Sequence, residues 1–270
     1  MNIIDFFTIP FLKNAFIGGI LIAILLSVLS LFVYVKRWSF INIGISHAAF
    51  GGLAIGFFLG LNPTIVGSVF AIVVGLLIGY ISKKGQIHED ISIGILLSFS
   101  MALGVVVMSF SNNYNSDLFA FLFGNILTIT QQDIIVISIF SLLSIVFILY
   151  NLNKLMYCCF DEELAYISGI NTTFLYYSTI TIIAIATVLS IKLVGSILSS
   201  AMIILPSAVA SQLFWRYKRI IFSSVLISIL VVLLGIIISF EYNLPSGSTI
   251  VIIYSFLFFI TVIVKKVFIK

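Results

Sequence analysis

From Ala15 to Val35 the chain runs for 21 residues without a charge. A stretch of that length and polarity crosses the hydrocarbon of a bilayer as an α-helix, which needs about 20 mostly apolar residues. Nine such runs can be read, at about 14–35, 41–60, 63–82, 91–111, 134–152, 174–194, 195–214, 220–240 and 247–264. The sixth and seventh abut at Gly195 with almost no loop, so eight spans is the competing count. The runs are too long for barrel strands, which show about 10-residue segments of alternating polarity. Of the 270 residues, 62% are hydrophobic and 8% charged; soluble domains have about 45–50% and about 25%. The expected fold class is all-α, a polytopic integral membrane protein. Residues 1–270 are expected to form a single transmembrane domain, with no linker, repeat or low-complexity tail. The first run is longer than a signal-peptide core and no A-x-A pattern follows it, so it is expected to remain as a span.

The basic residues orient the chain. With the N-terminus outside, the inner loops and ends carry Lys36, Arg37, Lys83, Lys84, Lys154, Arg216, Lys218, Arg219, Lys265, Lys266 and Lys270. Lys13 falls outside, and Lys192 lies near the outer end of a span, where it can snorkel. Cytoplasmic loops carry the excess of Lys and Arg, and each basic cluster follows an odd-numbered span, which supports nine. The C-terminus is then cytoplasmic. Because the net charge of +4 is spent at span ends, it is no nucleic-acid footprint. Cys158 and Cys159 are adjacent rather than spaced as C-x-x-C; they read as reduced and incidental, in a cytoplasmic loop.

Two loops stand apart. Residues 110–133 (FSNNYNSDLFAFLFGNILTITQQD) are external and mix aromatic residues with Asn and Asp, as an interfacial segment does. Residues 153–173 (NKLMYCCFDEELAYISGINTT) are internal. There Asp161 can cap a helix with Glu162 and Glu163 in its first turn. Leu164 and Ile167 share a face, and Gly169 is a natural stop. This short amphipathic helix either docks a soluble partner or lies at the membrane interface.

The sequence has no G-x-x-x-x-G-K-[ST] loop, so the chain is not expected to hydrolyse ATP. It also has no G-x-S-x-G or H-E-x-x-H, and no enzyme is expected. His88, in KKGQIHEDIS, reads as a solvated loop residue. His47 is different, because it lies within a span rich in Gly44, Ala48, Ala49, Gly51, Gly52, Ala54 and Gly56. Small residues let helices approach closely, so this face is expected to be buried in protein. Intramembrane ionisable groups face the bundle interior or a water-filled route, and imidazole suits borderline metals. The residues alone leave two readings, a metal ligand or a neutral histidine bonded to a neighbouring helix, with packing the more economical. The seventh span (GSILSSAMIILPSAVASQLF) carries five serines and Pro206, which removes a backbone hydrogen bond. It suits a conduction path or a packing helix.

RWSFINIGISHAAFGGLAIGFFLGLNP (37–63), FLFGNILTITQQD (121–133), FDEELAYISGI (160–170), KLVGSILSSAMIILPSAVA (192–210) and YNLPSGSTIVI (242–252) together resemble one family, over nearly the whole chain. It is the membrane permease subunit of ATP-binding-cassette importers for zinc, manganese and related iron ions. The patterns S-H-A-x-x-G-G and G-x-x-x-x-x-A-x-x-I-x-P are specific in combination. The resemblance implies a homodimer in the plasma (inner) membrane of a prokaryote. It also implies two cytoplasmic ATP-binding subunits, an extracytoplasmic metal-binding protein and no permanently bound cofactor. It implies that Asp161, Glu162, Glu163, Leu164, Ile167 and Gly169 form the ATPase-docking segment, and that His47 contacts the metal in passage. Family members commonly carry an Asp four residues before this histidine; here Ile43 stands there. Asn42 is polar but lies about 100° round the helix from Ile43, so a two-ligand site does not carry over.

The expected function is therefore import of a divalent transition metal, with zinc slightly ahead of manganese, driven by a separate ATPase subunit. Within transport, the alternatives are an ATP-driven permease for a metal chelate such as a siderophore or cobalamin, and a gradient-driven secondary transporter. An intramembrane enzyme with His47 as base is disfavoured, because no nucleophile or second acid/base is visible in any span.

Overall fold

In the computed structural model, residues 10–110 and 129–268 are described. Their helices are α1 (Pro10–Val35), α2 (Ile41–Leu59), α3 (Pro63–Gly85), α4 (Glu89–Ser109), α5 (Gln131–Phe160), α6 (Glu162–Ile167), α7 (Thr172–Val194), α8 (Ser196–Leu213), α9 (Tyr217–Glu241) and α10 (Ser246–Phe268). Among the described residues there is no strand. All but α6 are long and apolar enough to cross a membrane, so nine candidate spans stand, as the basic-cluster spacing required. The boundary that was hardest to read is real: Gly195 adopts φ 84° between α7 and α8, a left-handed backbone that glycine takes without a Cβ penalty. Most of the segment 110–133, expected from the sequence to be external, lies outside the described residues, namely 111–128.

One expectation is corrected. Cys158 and Cys159 are not in a loop; they sit in the last turn of α5, which runs unbroken for 30 residues. No Gly or Pro interrupts 131–160, and the helix stops only where Asp161 turns extended, at φ −152° and ψ 108°. At its other end Thr130 and Asp133 bond reciprocally. The Asp133 amide donates to Thr130 Oγ1 at 3.2 Å, and the Thr130 amide donates to Asp133 Oδ2 at 3.2 Å, a capping box.

The helices group into two compact units. One holds nearly all of α1, residues 131–149 of α5, the last turn of α7, and α8, α9 and α10. Here α8, α9 and α10 pack against one another. Buried hydroxyls on α8 pair with those of α1, α9 and the end of α7: Ser207 Oγ lies 2.5 Å from Ser30 Oγ and 3.2 Å from Ser224 Oγ, and Ser199 Oγ lies 2.5 Å from Ser190 Oγ. Tyr254 donates to Ser228 Oγ at 2.7 Å. The serines around buried Pro206 thus act as helix-to-helix glue, which favours the packing reading of that span.

The second unit holds α2, α3, α4, α6, most of α7 and the last turns of α5. Its centre is α2, clasped by α3 and α4. Glycines set the distances. A Cβ on Gly52 would lie 2.6 Å from Phe70 Cβ and 2.7 Å from Gly67 Cα, and one on Gly51 would lie 2.6 Å from the Ser100 carbonyl oxygen. Gly52→Val should therefore push α3 away and destabilise the chain by about 1–3 kcal/mol, whereas Gly94→Ala, at a site with open space around it, should be neutral or slightly stabilising. Thermal unfolding of the two variants in detergent checks the contrast.

Candidate functional site

His47 lies midway along α2, two turns from its start. Its neighbours on the helix surface are Ile43, at i−4, and Phe50, at i+3. These three side chains are all partly open, while Gly44, Ile45, Ser46, Ala48 and Ala49 are buried. The glycines thus serve the contacts with α3 and α4, and His47 sits beside those contacts on the helix's open stripe. Its Nδ1 is nevertheless buried and has no hydrogen-bond partner. An orphaned ring nitrogen at membrane depth is costly whether it carries a proton or a lone pair.

The residues around it sharpen this. Asn42 is fully buried, and its Oδ1 accepts a hydrogen bond from Thr187 Oγ1 at 2.6 Å. Ser46 Oγ donates to the Asn42 carbonyl. Asn42 is committed to holding α2 against α7 and does not replace the carboxylate missing at Ile43. Among the described residues no three His, Cys, Asp or Glu side chains group as a metal site. The buried unpartnered side-chain atoms among those residues are Trp38 Nε1, His47 Nδ1, Ser92 Oγ, Ser100 Oγ and Tyr176 Oη, and all belong to the second unit. The buried hydroxyl pairs of α8, by contrast, belong to the first.

The segment 160–170 folds as its residues dictate. Asp161 caps α6, its Oδ1 accepting from the Leu164 amide at 2.9 Å. Glu162 and Glu163 occupy the first turn, where carboxylates meet the positive end of the helix dipole. Gly169, at φ 80°, ends it with two closing bonds, Gly169 N–H to the Tyr166 carbonyl at 3.0 Å and Ile170 N–H to the Ala165 carbonyl at 3.1 Å. That is a Schellman stop. The helix itself spans Glu162–Ile167, with Asp161 and Gly169 as its caps. Ala165 is buried, whereas Leu164 and Ile167, three apart on α6, are 51% and 77% exposed, and Phe160, the last residue of α5, is 77% exposed. These three leave an exposed apolar row that nothing within the second unit covers.

Sequence reading missed how this helix is tethered. Lys83, at the end of α3, donates to Glu162 Oε1 at 2.7 Å and to Thr173 Oγ1 at 3.3 Å. Both partners of the ion pair are about a third exposed, so the pair is worth no more than about 1 kcal/mol; its effect is on position. Some 79 residues separate them, so no local pattern signals the contact. An open recess of about 290 Å³ lies beside it among Ser82, Lys83, His88, Glu89, Glu162 and Tyr176. His88 is exposed there and precedes α4, as a solvated loop residue would. Asp161→Ala should remove the cap at a cost of about 1 kcal/mol and speed amide exchange in residues 162–167, with the rest of the chain unchanged; hydrogen-exchange mass spectrometry reads this directly.

Known proteins show the same framework. Residues 8–265 match the model of the ABC 3 transport family. A "Probable metal transport system membrane protein" of Thermotoga maritima is 34% identical over 252 residues, covering 92% of this chain and 88% of its own. The manganese transport system membrane protein MntC of Listeria innocua is 31% identical over 250 residues, covering 93% and 89%. Among solved structures, PsaBC from Streptococcus pneumoniae in complex with Fab superposes with a TM-score of 0.81 at 31% identity, covering 96% of this chain and 93% of that one.

Proposed function

The chain belongs to the ABC 3 transport family, and on that premise we propose that it is the membrane permease subunit of an importer for a divalent transition-metal ion. The ion enters the cytoplasm of a prokaryotic cell, and a separate ATP-binding subunit supplies the energy. The whole chain acts as one permease domain in the plasma membrane, with its N-terminus outside and C-terminus inside. A second copy completes the pathway, and an extracytoplasmic metal-binding protein delivers the ion. Zinc and manganese are both suitable cargoes for imidazole and oxygen donors. Sequence reading put zinc slightly ahead; the manganese transport named for the relative in Listeria innocua moves manganese to the front.

The observation that carries the reading is the orphaned Nδ1 of His47, buried within a candidate span. A neutral imidazole offers a lone pair there, and a passing cation satisfies it. Ile43 offers no second ligand on the same side, so the contact is weak. Weak binding suits transit, because conduction requires an ion to leave as readily as it enters. The exposed row Phe160, Leu164 and Ile167, with the acidic first turn of α6, forms the docking surface for the ATP-binding subunit. No step of hydrolysis is assigned to this chain.

In vesicles holding the complete importer, His47→Ala should lower ATP-dependent uptake of radiolabelled manganese and zinc by at least about tenfold; full retention of uptake of both ions returns His47 to packing. If neither ion accumulates even with the unaltered chain, metal import fails as the function, and a chelate cargo takes its place. Leu164→Asp should reduce co-purification of the ATP-binding subunit without changing the thermal midpoint of the permease. Undiminished co-purification would remove α6 from the docking surface.

A further inference from the structure

A line of contacts leads from α6 to the start of the histidine helix. Glu162, in the first turn of α6, accepts from Lys83 Nζ at 2.7 Å. Lys83 Nζ also lies 5.0 Å from the centroid of the Tyr176 ring, within cation–π range. The Tyr176 ring meets Trp38 edge-on, with centroids 5.6 Å apart and planes at 83°, the favoured T-shaped arrangement. Trp38 is buried, and its carbonyl accepts from the amide of Ile41 at 3.1 Å, the first residue of α2. Every member belongs to the second unit. His47 follows Ile41 by six residues on the same helix.

Two features mark this as more than packing. Lys83 links its own α3 to both α6 and α7, because it donates to Glu162 Oε1 and, at 3.3 Å, to Thr173 Oγ1 in the first turn of α7. Trp38 is buried with its Nε1 unpartnered, so ring contacts and not a side-chain hydrogen bond set its place; the Tyr176 ring that meets it also lies edge-on to Tyr177, with centroids 5.5 Å apart.

We propose that Glu162, Lys83, Tyr176 and Trp38 form a relay by which movement of α6 repositions the N-terminal end of α2, and with it His47. These are positioning residues, none of which touches the metal. The inference rests on the docking role of α6, and it adds the route by which a load on α6 reaches the histidine. Lys83 is the pivot, because it contacts both Glu162 on α6 and the Tyr176 ring.

The test uses the complete importer in lipid vesicles, with three readouts: co-purification of the ATP-binding subunit, ATP hydrolysis, and metal uptake per ATP hydrolysed. Lys83→Met should leave co-purification and hydrolysis near those of the unaltered chain and lower uptake per ATP about three- to tenfold, the range expected for residues along a coupling network. Tyr176→Leu combined with Lys83→Met should lower it no further than Lys83→Met alone, because both act through one contact. Tyr176→Phe, which keeps the ring that meets Lys83 and Trp38, should behave as the unaltered chain, while Tyr176→Leu alone should match Lys83→Met. Unchanged uptake per ATP in Lys83→Met, multiplying effects in the double variant, or a harmless Tyr176→Leu would each overturn the relay. Failure of docking itself shows separately, as undiminished co-purification in Leu164→Asp.

Discussion

Hydrocarbon offers no partner to a backbone amide or carbonyl, so a chain that lives in it must satisfy its own. The rest of this structure follows from that demand. Each span must be a helix, and helices in lipid gain little from burying apolar surface against one another, since lipid is as apolar as they are. They associate instead through close approach and through polar groups that pair across the gap. Each unit uses both devices. In the second, Gly51 and Gly52 bring α2 against its neighbours at distances where no Cβ fits, and Asn42 pairs with Thr187. In the first, Gly235 leaves no room for a Cβ beside Ile250, and serines on α8 meet serines elsewhere in the same unit.

The unpartnered groups place the candidate chemistry. Among the described residues the buried side-chain polar atoms without a partner lie in the second unit, and His47 is the imidazole among them, within a span. The same unit carries α6, whose exposed row is the other feature that packing within the unit does not explain.

Much of this was legible in the residues. The spans were, because about 20 apolar residues between basic clusters admit one solution. The caps of α6 were, because Asp161 and Gly169 announce themselves locally. Continuation of α5 to Phe160 was not: Asn151, Asn153 and Lys154 look like a loop, but they are merely a helix leaving lipid, and nothing there breaks it. Nor were the contacts of Lys83 or of Asn42 legible, because an ion pair or a hydrogen bond across 79 or 145 residues leaves no mark on local pattern. The small residues of α2 gave the right conclusion about that helix and a coarser one about His47, which lies beside the close contacts and not within them.

The pairing of Asn42 with Thr187 has a kinetic meaning for the proposed passage. It commits the amide beside Ile43 to holding two helices together, so on that proposal the contact with an ion rests on His47. One donor holds a divalent ion only briefly, and it follows the general order of metal affinities without choosing against it. The proposed pathway then completes its discrimination between metals before an ion arrives here, and leaves the pace of passage to the motion of the helices.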